Sequence, residues 1–273
     1  MITTEQIKKL RDGTGVSVMQ CKRALEEAEG DFDKALLILK KRSTDIALKK
    51  SDRTLGAGIV VIRRDADLRG SKRRSTQIGR DADKAVMVVL YCETDFVAKN
   101  DEFIKLANQI ADIVNEKGEE IAKNESVEPI NLLIQKIGEN IKLGEINIFE
   151  GNTLGSYVHN GKIGVLVSLE GGTQAIARDI AMHIAAMKPE FTSRENIPIE
   201  TKESIASLFA EEIKILDKPE EIKKKIMDGK IDTYFKERTL LDQTFIKNPD
   251  ITIAELLKQA GGAKIKEFVR FSF

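Results

Sequence analysis

Tryptophan is absent from the 273-residue sequence, and aromatic residues together make up only 5% of it. The chain has two cysteines, Cys21 and Cys92, which lie far apart in apolar stretches, and two histidines, His159 and His183. Two cysteines do not make a disulfide framework, and two separated histidines do not make a zinc-binding motif. We therefore expect a cytoplasmic protein that is not held together by disulfides and has no metal site.

Long hydrophobic runs and an excess of charge of one sign are also missing. No apolar run reaches the roughly 18 residues that a membrane-spanning helix needs, and the N-terminus has no pattern of a signal peptide. The 44 basic and 44 acidic residues cancel. That balance argues against a protein whose whole surface binds nucleic acid. We expect a helix-rich, soluble protein that does not contact a membrane.

Motifs for covalent chemistry or nucleotide binding are absent as well. The sequence contains no G-x-x-x-x-G-K-[ST] phosphate loop and no G-x-G-x-x-G turn between a strand and a helix. No Ser–His or Cys–His pair stands in a local motif for nucleophilic catalysis. His183 lies among apolar residues of a predicted helix and is expected to be a partly buried structural residue rather than a ligand. We therefore expect no enzyme activity, no catalytic residue and no cofactor.

Three short helices are predicted in residues 1 to about 42. Thr3, Ser17 and Asp31 each stand at a predicted helix start and can cap it. Cys21 falls on an apolar helical face and is expected to be a small core residue. Three helices of this length form a very small core, which is marginal alone and is more typical of a docking module than of an enzyme.

Two successive segments each combine a pair of apolar strands with a helix, and their similarity predicts two α+β halves packed as one core. Met187 is expected on the apolar face of the helix in the second segment. Ile141 is expected on an additional helix that lies between the two segments. The last residues alternate and should return to the second sheet. The strands and helix are 58–62, 85–92 and 103–114 in the first half, and 154–158, 163–169 and 176–187 in the second.

Residues 200–238 carry nine basic and ten acidic residues. An apolar helical face that includes Leu208 and Phe209 is followed by a turn at Asp217-Lys218-Pro219, which predicts a projecting two-helix hairpin. The hairpin is either a plain solvated helix pair or an arm for a partner or for self-association.

Residues 63–80 form a predicted loop with seven basic and two acidic residues. A loop of this length is uncommon and is often functional or mobile. We favour a solvated, mobile loop. The alternative is an RNA contact through Lys72, Arg73 and Arg74, since clustered cations bind phosphates.

The segment after the most continuous apolar run, 85–92, contains Phe96 on a short connection between a predicted strand and a predicted helix. Binding residues are often found on such connections. Phe96 could fold back as a staple over the helix start. Composition favours this staple, since most large apolar residues lie in the core. The alternative is an exposed anchor for a partner, because aromatic side chains dominate interface energetics. The residues alone leave both interpretations open.

Five segments in order resemble the elongation factor Ts family. The most specific is Cys92-Glu93-Thr94-Asp95-Phe96-Val97-Ala98-Lys99-Asn100. The other four, in chain order, lie within 10–25, 136–141, 155–167 and 181–191. The resemblance spans residues 3 to 271.

The resemblance implies an α+β fold. It has an N-terminal three-helix, UBA-like module, a two-part α/β-sandwich core with antiparallel sheets, and a protruding helical hairpin that forms a coiled coil. The corresponding divisions are 1–54 for the module, 55–150 for the first core half, 151–197 plus 240–273 for the second, and 198–239 for the arm.

The resemblance also implies a function, which is guanine-nucleotide exchange on the GTPase elongation factor Tu. Asp95 and Phe96 would wedge into the GTPase domain. Val18 and Gln20 depart from the residues that are usual in the family, which leaves the strength of docking open. The remaining residues implied to contact the GTPase are Leu10, Val18, Met19, Lys22, Ile137 and His159.

Overall fold

The computed structural model describes residues 2–65, 83–216 and 218–273. It begins with three helices, α1 (Thr4–Thr14), α2 (Val18–Glu27) and α3 (Phe32–Lys50). Their starts are capped as predicted: the side chains of Thr3, Ser17 and Asp31 each accept a backbone hydrogen bond from the first turn. Cys21 is fully buried among the helices, which confirms it as a core residue.

The first half of the core is a three-stranded antiparallel sheet in the order β1-β2-β3. Ile141 begins β3, so its expected place on the preceding helix is wrong. That helix ends because Gly138 adopts a left-handed conformation with φ of 88°, which glycine tolerates without a steric penalty. The elements are β1 (Ala57–Arg64), β2 (Asp83–Cys92), α4 (Asp95–Ala98), α5 (Asp101–Lys117), α6 (Glu119–Ile137) and β3 (Ile141–Gly151).

The second half is a similar sheet in the order β4-β5-β8, so the predicted return of the last strand is confirmed. Helix α7 covers it, with Ala177, Ile180 and Ile184 fully buried. Met187 is exposed, contrary to prediction, and it is the last residue of α7. The elements are β4 (Thr153–His159), β5 (Ile163–Glu170), α7 (Gln174–Met187) and β8 (Lys264–Ser272).

Between α7 and β8 lies the predicted helical hairpin, which we call the arm. It consists of α8 (Ile199–Lys214) and α9 (Glu220–Arg238). The rings of Phe209 and Tyr234 join the two helices edge to face, with 5.9 Å between their centres. Leu208 is exposed rather than buried, because the ring of its neighbour Phe209 takes the position against α9.

Short elements complete this region. They are two 3₁₀ turns (Arg194–Asn196 and Leu240–Asp242), a two-stranded sheet of β6 (Thr244–Phe245) and β7 (Asn248–Thr252), and α10 (Ile253–Gln259).

The two sheets pack against each other through one face of each. On β2, Ala85, Met87 and Val89 are buried in the cluster between the sheets, whereas Val86 and Val88 are buried on the helical side. Side chains alternate between the faces of a strand. Burial on both faces therefore explains why this strand reads as a continuous apolar run.

The predicted α+β class, with three N-terminal helices and small antiparallel sheets, is confirmed. In the described part of the chain no helix is both long and apolar enough to cross a membrane. The predicted basic loop, including Lys72, Arg73 and Arg74, lies largely outside the described residues. The proposed domain boundaries stay predictions.

Candidate functional site

Phe96 is the most exposed aromatic side chain of the described structure, with 87% of its surface accessible. It lies on α4, a single helical turn whose other apolar residues, Val97 and Ala98, are buried. The staple interpretation is therefore wrong. Because Val97 and Ala98 occupy the inner face of the turn, Phe96 is left on the outer face.

Hydrogen bonds from the end of α6 hold the start of this turn. The Glu139 carboxylate accepts from the backbone nitrogen of Thr94 at 3.0 Å and from its hydroxyl at 2.7 Å. One residue earlier, the Glu93 carboxylate accepts from the backbone nitrogen of Asn140 at 2.6 Å. Two segments that are more than forty residues apart in sequence are thus joined by reciprocal contacts beside Phe96.

Asp95 is held from the other half of the core. One of its carboxylate oxygens lies 2.5 Å from the ammonium group of Lys162, in the turn between β4 and β5. The hydrogen bond and charge of Lys162 lower the pKa of Asp95 below its ordinary value. Asp95 is therefore an anion at neutral pH, with its charge already paired.

The same turn carries His159, which is exposed. Its Nδ1 lies 3.1 Å from the Tyr157 hydroxyl, and the two rings stack with 6.1 Å between their centres. The structure therefore brings Asp95, Phe96 and the His159 turn to one region of the surface, through the pair between Asp95 and Lys162.

Helix α2 presents a second exposed surface. Val18 is 47% exposed and Met19 is 58% exposed, and Lys22 on the same helix forms an exposed ion pair with Glu26 at 3.7 Å. Leu10 differs, since it is completely buried between the N-terminal helices. Its implied direct contact with a partner stays a prediction, and in this structure Leu10 supports the packing beneath that surface.

A cleft of about 460 Å³ separates the start of α2 from the end of α6. Arg11 and Lys136 contribute positive charge to its wall, and Val18 lies at its edge. Ile137, the last residue of α6, is half-buried and packs against the first-half core. Its side chain is thus less accessible than those of Val18 and Met19.

Two side chains of types that often act in catalysis, Cys92 and His183, are buried. Burial, with a smaller contribution from the Glu139 charge, raises the pKa of Cys92 to about 12, so its thiol is protonated at neutral pH. His183 is fully buried, more deeply than the partial burial that was predicted, and burial lowers its pKa. Its Nε2 lies 2.9 Å from the Gln243 side-chain oxygen, and its Nδ1 accepts from the backbone nitrogen of Ile246. Both residues are part of the core.

Reasoning from the sequence missed Glu139 and Lys162. Glu139 stands in a segment that resembles the family, but nothing in that segment assigns its carboxylate to Thr94. Lys162 is 67 positions from Asp95, and the sequence contains no local signal for a pair that the packing of two halves creates.

The structure defines an α+β protein with two small sheets, three N-terminal helices, a two-helix arm and an exposed aromatic side chain on a fixed turn. The family model described as Elongation factor TS matches residues 93–273. Similar curated proteins have the same description, elongation factor Ts. The protein of Alkalilimnicola ehrlichii is 38% identical, covering 99% of this chain and 91% of its own length.

Two further relatives agree in coverage. The elongation factor Ts of Hydrogenovibrio crunogenus is 37% identical, over 98% of this chain and 90% of its own length. That of Thioalkalivibrio sulfidiphilus is 38% identical, over 99% and 91%. The chain therefore belongs to the elongation factor Ts family and is a translation elongation factor.

Proposed function

We propose that this protein is a cytoplasmic guanine-nucleotide exchange factor, which binds elongation factor Tu in its GDP form and speeds release of the nucleotide. It acts by binding and carries out no covalent step. Such a factor must bind the nucleotide-free GTPase more tightly than the GDP-bound one, because only a difference in affinity shifts the equilibrium between those states.

The exposure of Phe96 is the observation that carries the proposal. Thr94 is held by Glu139, Asp95 is held by Lys162, and Val97 and Ala98 are buried. An aromatic side chain on a turn fixed at every neighbouring position loses little conformational freedom when it docks. Phe96 is therefore suited to act as a wedge that disturbs the nucleotide site of the GTPase.

The other surfaces have separate roles in this proposal. Val18, Met19 and Lys22 on α2 dock the N-terminal module on the GTPase domain, and His159 contacts the partner from the second half. The arm adds a further contact as a coiled coil. These assignments follow the family resemblance, and the exposure of the four side chains is compatible with them.

The first prediction concerns Phe96→Ala. We expect a folded protein whose maximal acceleration of GDP release falls roughly 30-fold, since truncating an interface hot spot costs about 2 kcal/mol or more. The measurement is release of a fluorescent GDP analogue from the cognate elongation factor Tu, with the factor at catalytic amounts. Val127→Ala, which truncates another exposed apolar side chain on α6, is the control. Wild-type release rates in folded Phe96→Ala would refute the wedge role.

A further inference from the structure

Lys162 connects the second half of the core to the turn that carries Phe96. Its ammonium group lies 2.5 Å from Asp95 and 5.4 Å from the centre of the Phe273 ring. Its carbonyl accepts a hydrogen bond from the backbone nitrogen of Phe273 at 3.1 Å. Contacts with Phe273 thus hold both the backbone and the side chain of Lys162, while its charge is directed at Asp95.

The turn that carries Lys162 is itself fixed to the first sheet. The Gly161 carbonyl accepts a hydrogen bond from the backbone nitrogen of Val60 at 2.8 Å. A Cβ atom at Gly161 would lie 2.9 Å from the side-chain Cγ1 of Ile59, so the turn packs closely against β1 there. Because Ile59 and Val60 belong to β1, Lys162 acts on Asp95 from a turn that is anchored to the sheet beneath α4.

We propose that Lys162 is a positioning residue for Phe96, because it holds the α4 turn from the second half in the orientation that presents the aromatic ring. The proposal rests on the exchange function proposed above. Glu139 holds the same turn from within the first half, through Thr94. The two contacts have different origins, and removing the Lys162 side chain breaks only its contact from the second half with Asp95.

The proposal has a consequence for partner recognition. His159 and Lys162 belong to one turn, and Phe96 follows Asp95 directly. A GTPase that contacts both His159 and Phe96 therefore meets two side chains whose separation is set by the pair between Lys162 and Asp95. Lys162 acts through that spacing and need not touch the GTPase.

Loss of this pair should leave the fold intact. The side chains of Lys162 and Asp95 are 34% and 66% exposed, and exposed ion pairs contribute little to global stability. Lys162→Met keeps most of the side-chain length and removes the charge, whereas Lys162→Arg keeps the charge. Lys264→Met, at the opposite end of the β5–β8 pairing, is the matched control for losing one positive charge.

The second prediction is tested with two readouts on the full chain. In Lys162→Met the maximal rate of GDP release should fall about fivefold, the upper range for an exposed ion pair. The half-saturating concentration of the factor should stay within about twofold. The contacts that bind the GTPase equally before and during nucleotide release are unchanged in this variant. Amide hydrogen exchange at Val97 and Ala98 should become faster. Lys162→Arg should restore at least half of the rate, and Lys264→Met should match the wild type.

The outcomes separate this inference from the proposed function. Wild-type protein that does not accelerate GDP release removes the exchange function, whatever Lys162 does. Unchanged amide hydrogen exchange in Lys162→Met overturns the positioning role. If GDP release is nevertheless slow in that variant, Lys162 contacts the GTPase directly. Faster amide exchange with a wild-type release rate also overturns it, because the orientation of the turn would then not matter for exchange.

Discussion

Thr94 uses both of its donors on one partner, since its backbone nitrogen and its hydroxyl each donate to the Glu139 carboxylate. Its hydroxyl oxygen also accepts from the backbone nitrogen of Val97 at 3.4 Å, which caps the first turn of α4. The backbone nitrogen and the hydroxyl of Thr94 therefore both have hydrogen-bond partners. This arrangement gives Glu139 a measurable influence on the turn that carries Phe96.

The third prediction follows from this contact. In Glu139→Gln one carboxylate oxygen becomes an amide donor facing a donor of Thr94, so one of the two hydrogen bonds is lost. We expect the free energy of unfolding to fall by about 1–2 kcal/mol, because hydrogen bonds to charged groups contribute about 1.5–3 kcal/mol. Chemical denaturation would measure the change.

The control for this experiment is Glu145→Gln. Glu145 also accepts from a hydroxyl, that of Tyr91 at 3.0 Å, but at an exposed site. We expect a smaller effect there, since water replaces the lost acceptor. Equal stability losses in both variants would contradict the structural role of Glu139, because they would reflect the loss of one surface charge alone.

At the scale of elements, the sequence was informative wherever a segment buries a whole face. Strand β2 is buried on both sides, so its apolar run could be recognised directly. The helix predicted at 103–114 was recognised for the same reason, since α5 buries one face that includes Phe103, Ile110 and Val114. The packing of the two sheets against each other depends on contacts between residues far apart in sequence, which no local pattern encodes.

The misassigned residues have physical causes at the same scale. Leu208 fits the apolar spacing of α8, but a two-helix arm buries only the narrow seam between its helices, and the Phe209 ring takes that place. The one-turn helix α4 is too short for any periodicity. The exposure of Phe96 therefore needed the structure, since composition alone favoured a staple.

The fourth prediction concerns the contact between the sheets. A Cβ atom at Gly164 in β5 would lie 2.3 Å from Val60 Cγ1 and 2.8 Å from Met87 Sδ. Gly164→Ala should therefore lower the free energy of unfolding by about 1–3 kcal/mol, the usual cost of overpacking a core. Urea denaturation measures it.

Gly229→Ala is the matched control for this substitution. Gly229 lies inside α9 with open space around it, and alanine favours helix by up to about 1 kcal/mol over glycine. We expect equal or greater stability from that variant. A Gly164→Ala protein as stable as the wild type would mean that the sheets separate easily to accept a methyl group.

At the scale of the whole molecule, the N-terminal helices are joined to the core near the segment that holds the Phe96 turn. Lys40 pairs with Glu128 of α6 at 2.8 Å, and the Lys50 ammonium donates to the carbonyl of Gly138, next to Glu139. Ile46 of α3 packs against the first-half core. Contacts between α3 and the first half of the core therefore connect the N-terminal helices to the region of the Phe96 turn. The α2 surface and the Phe96 turn are two different surfaces.

The fifth prediction uses this separation to assign different kinetic roles. Replacing both Val18 and Met19 by serine removes exposed apolar anchors that would contribute equally before and during nucleotide release. The half-saturating concentration should then rise about tenfold with little change in the maximal rate, as expected when uniform binding is lost. Phe96→Ala should do the opposite, because its contact is made mainly as the nucleotide leaves.

The control is Leu37→Ser, which removes an exposed apolar side chain from α3 of the same module. Saturation curves of GDP release against factor concentration distinguish the two effects. If the α2 double variant lowers the maximal rate as much as Phe96→Ala does, docking and wedging are not separable, and the N-terminal module takes part in expelling the nucleotide. If only its half-saturation changes, α2 supplies affinity and the Phe96 turn supplies the difference in affinity that exchange requires.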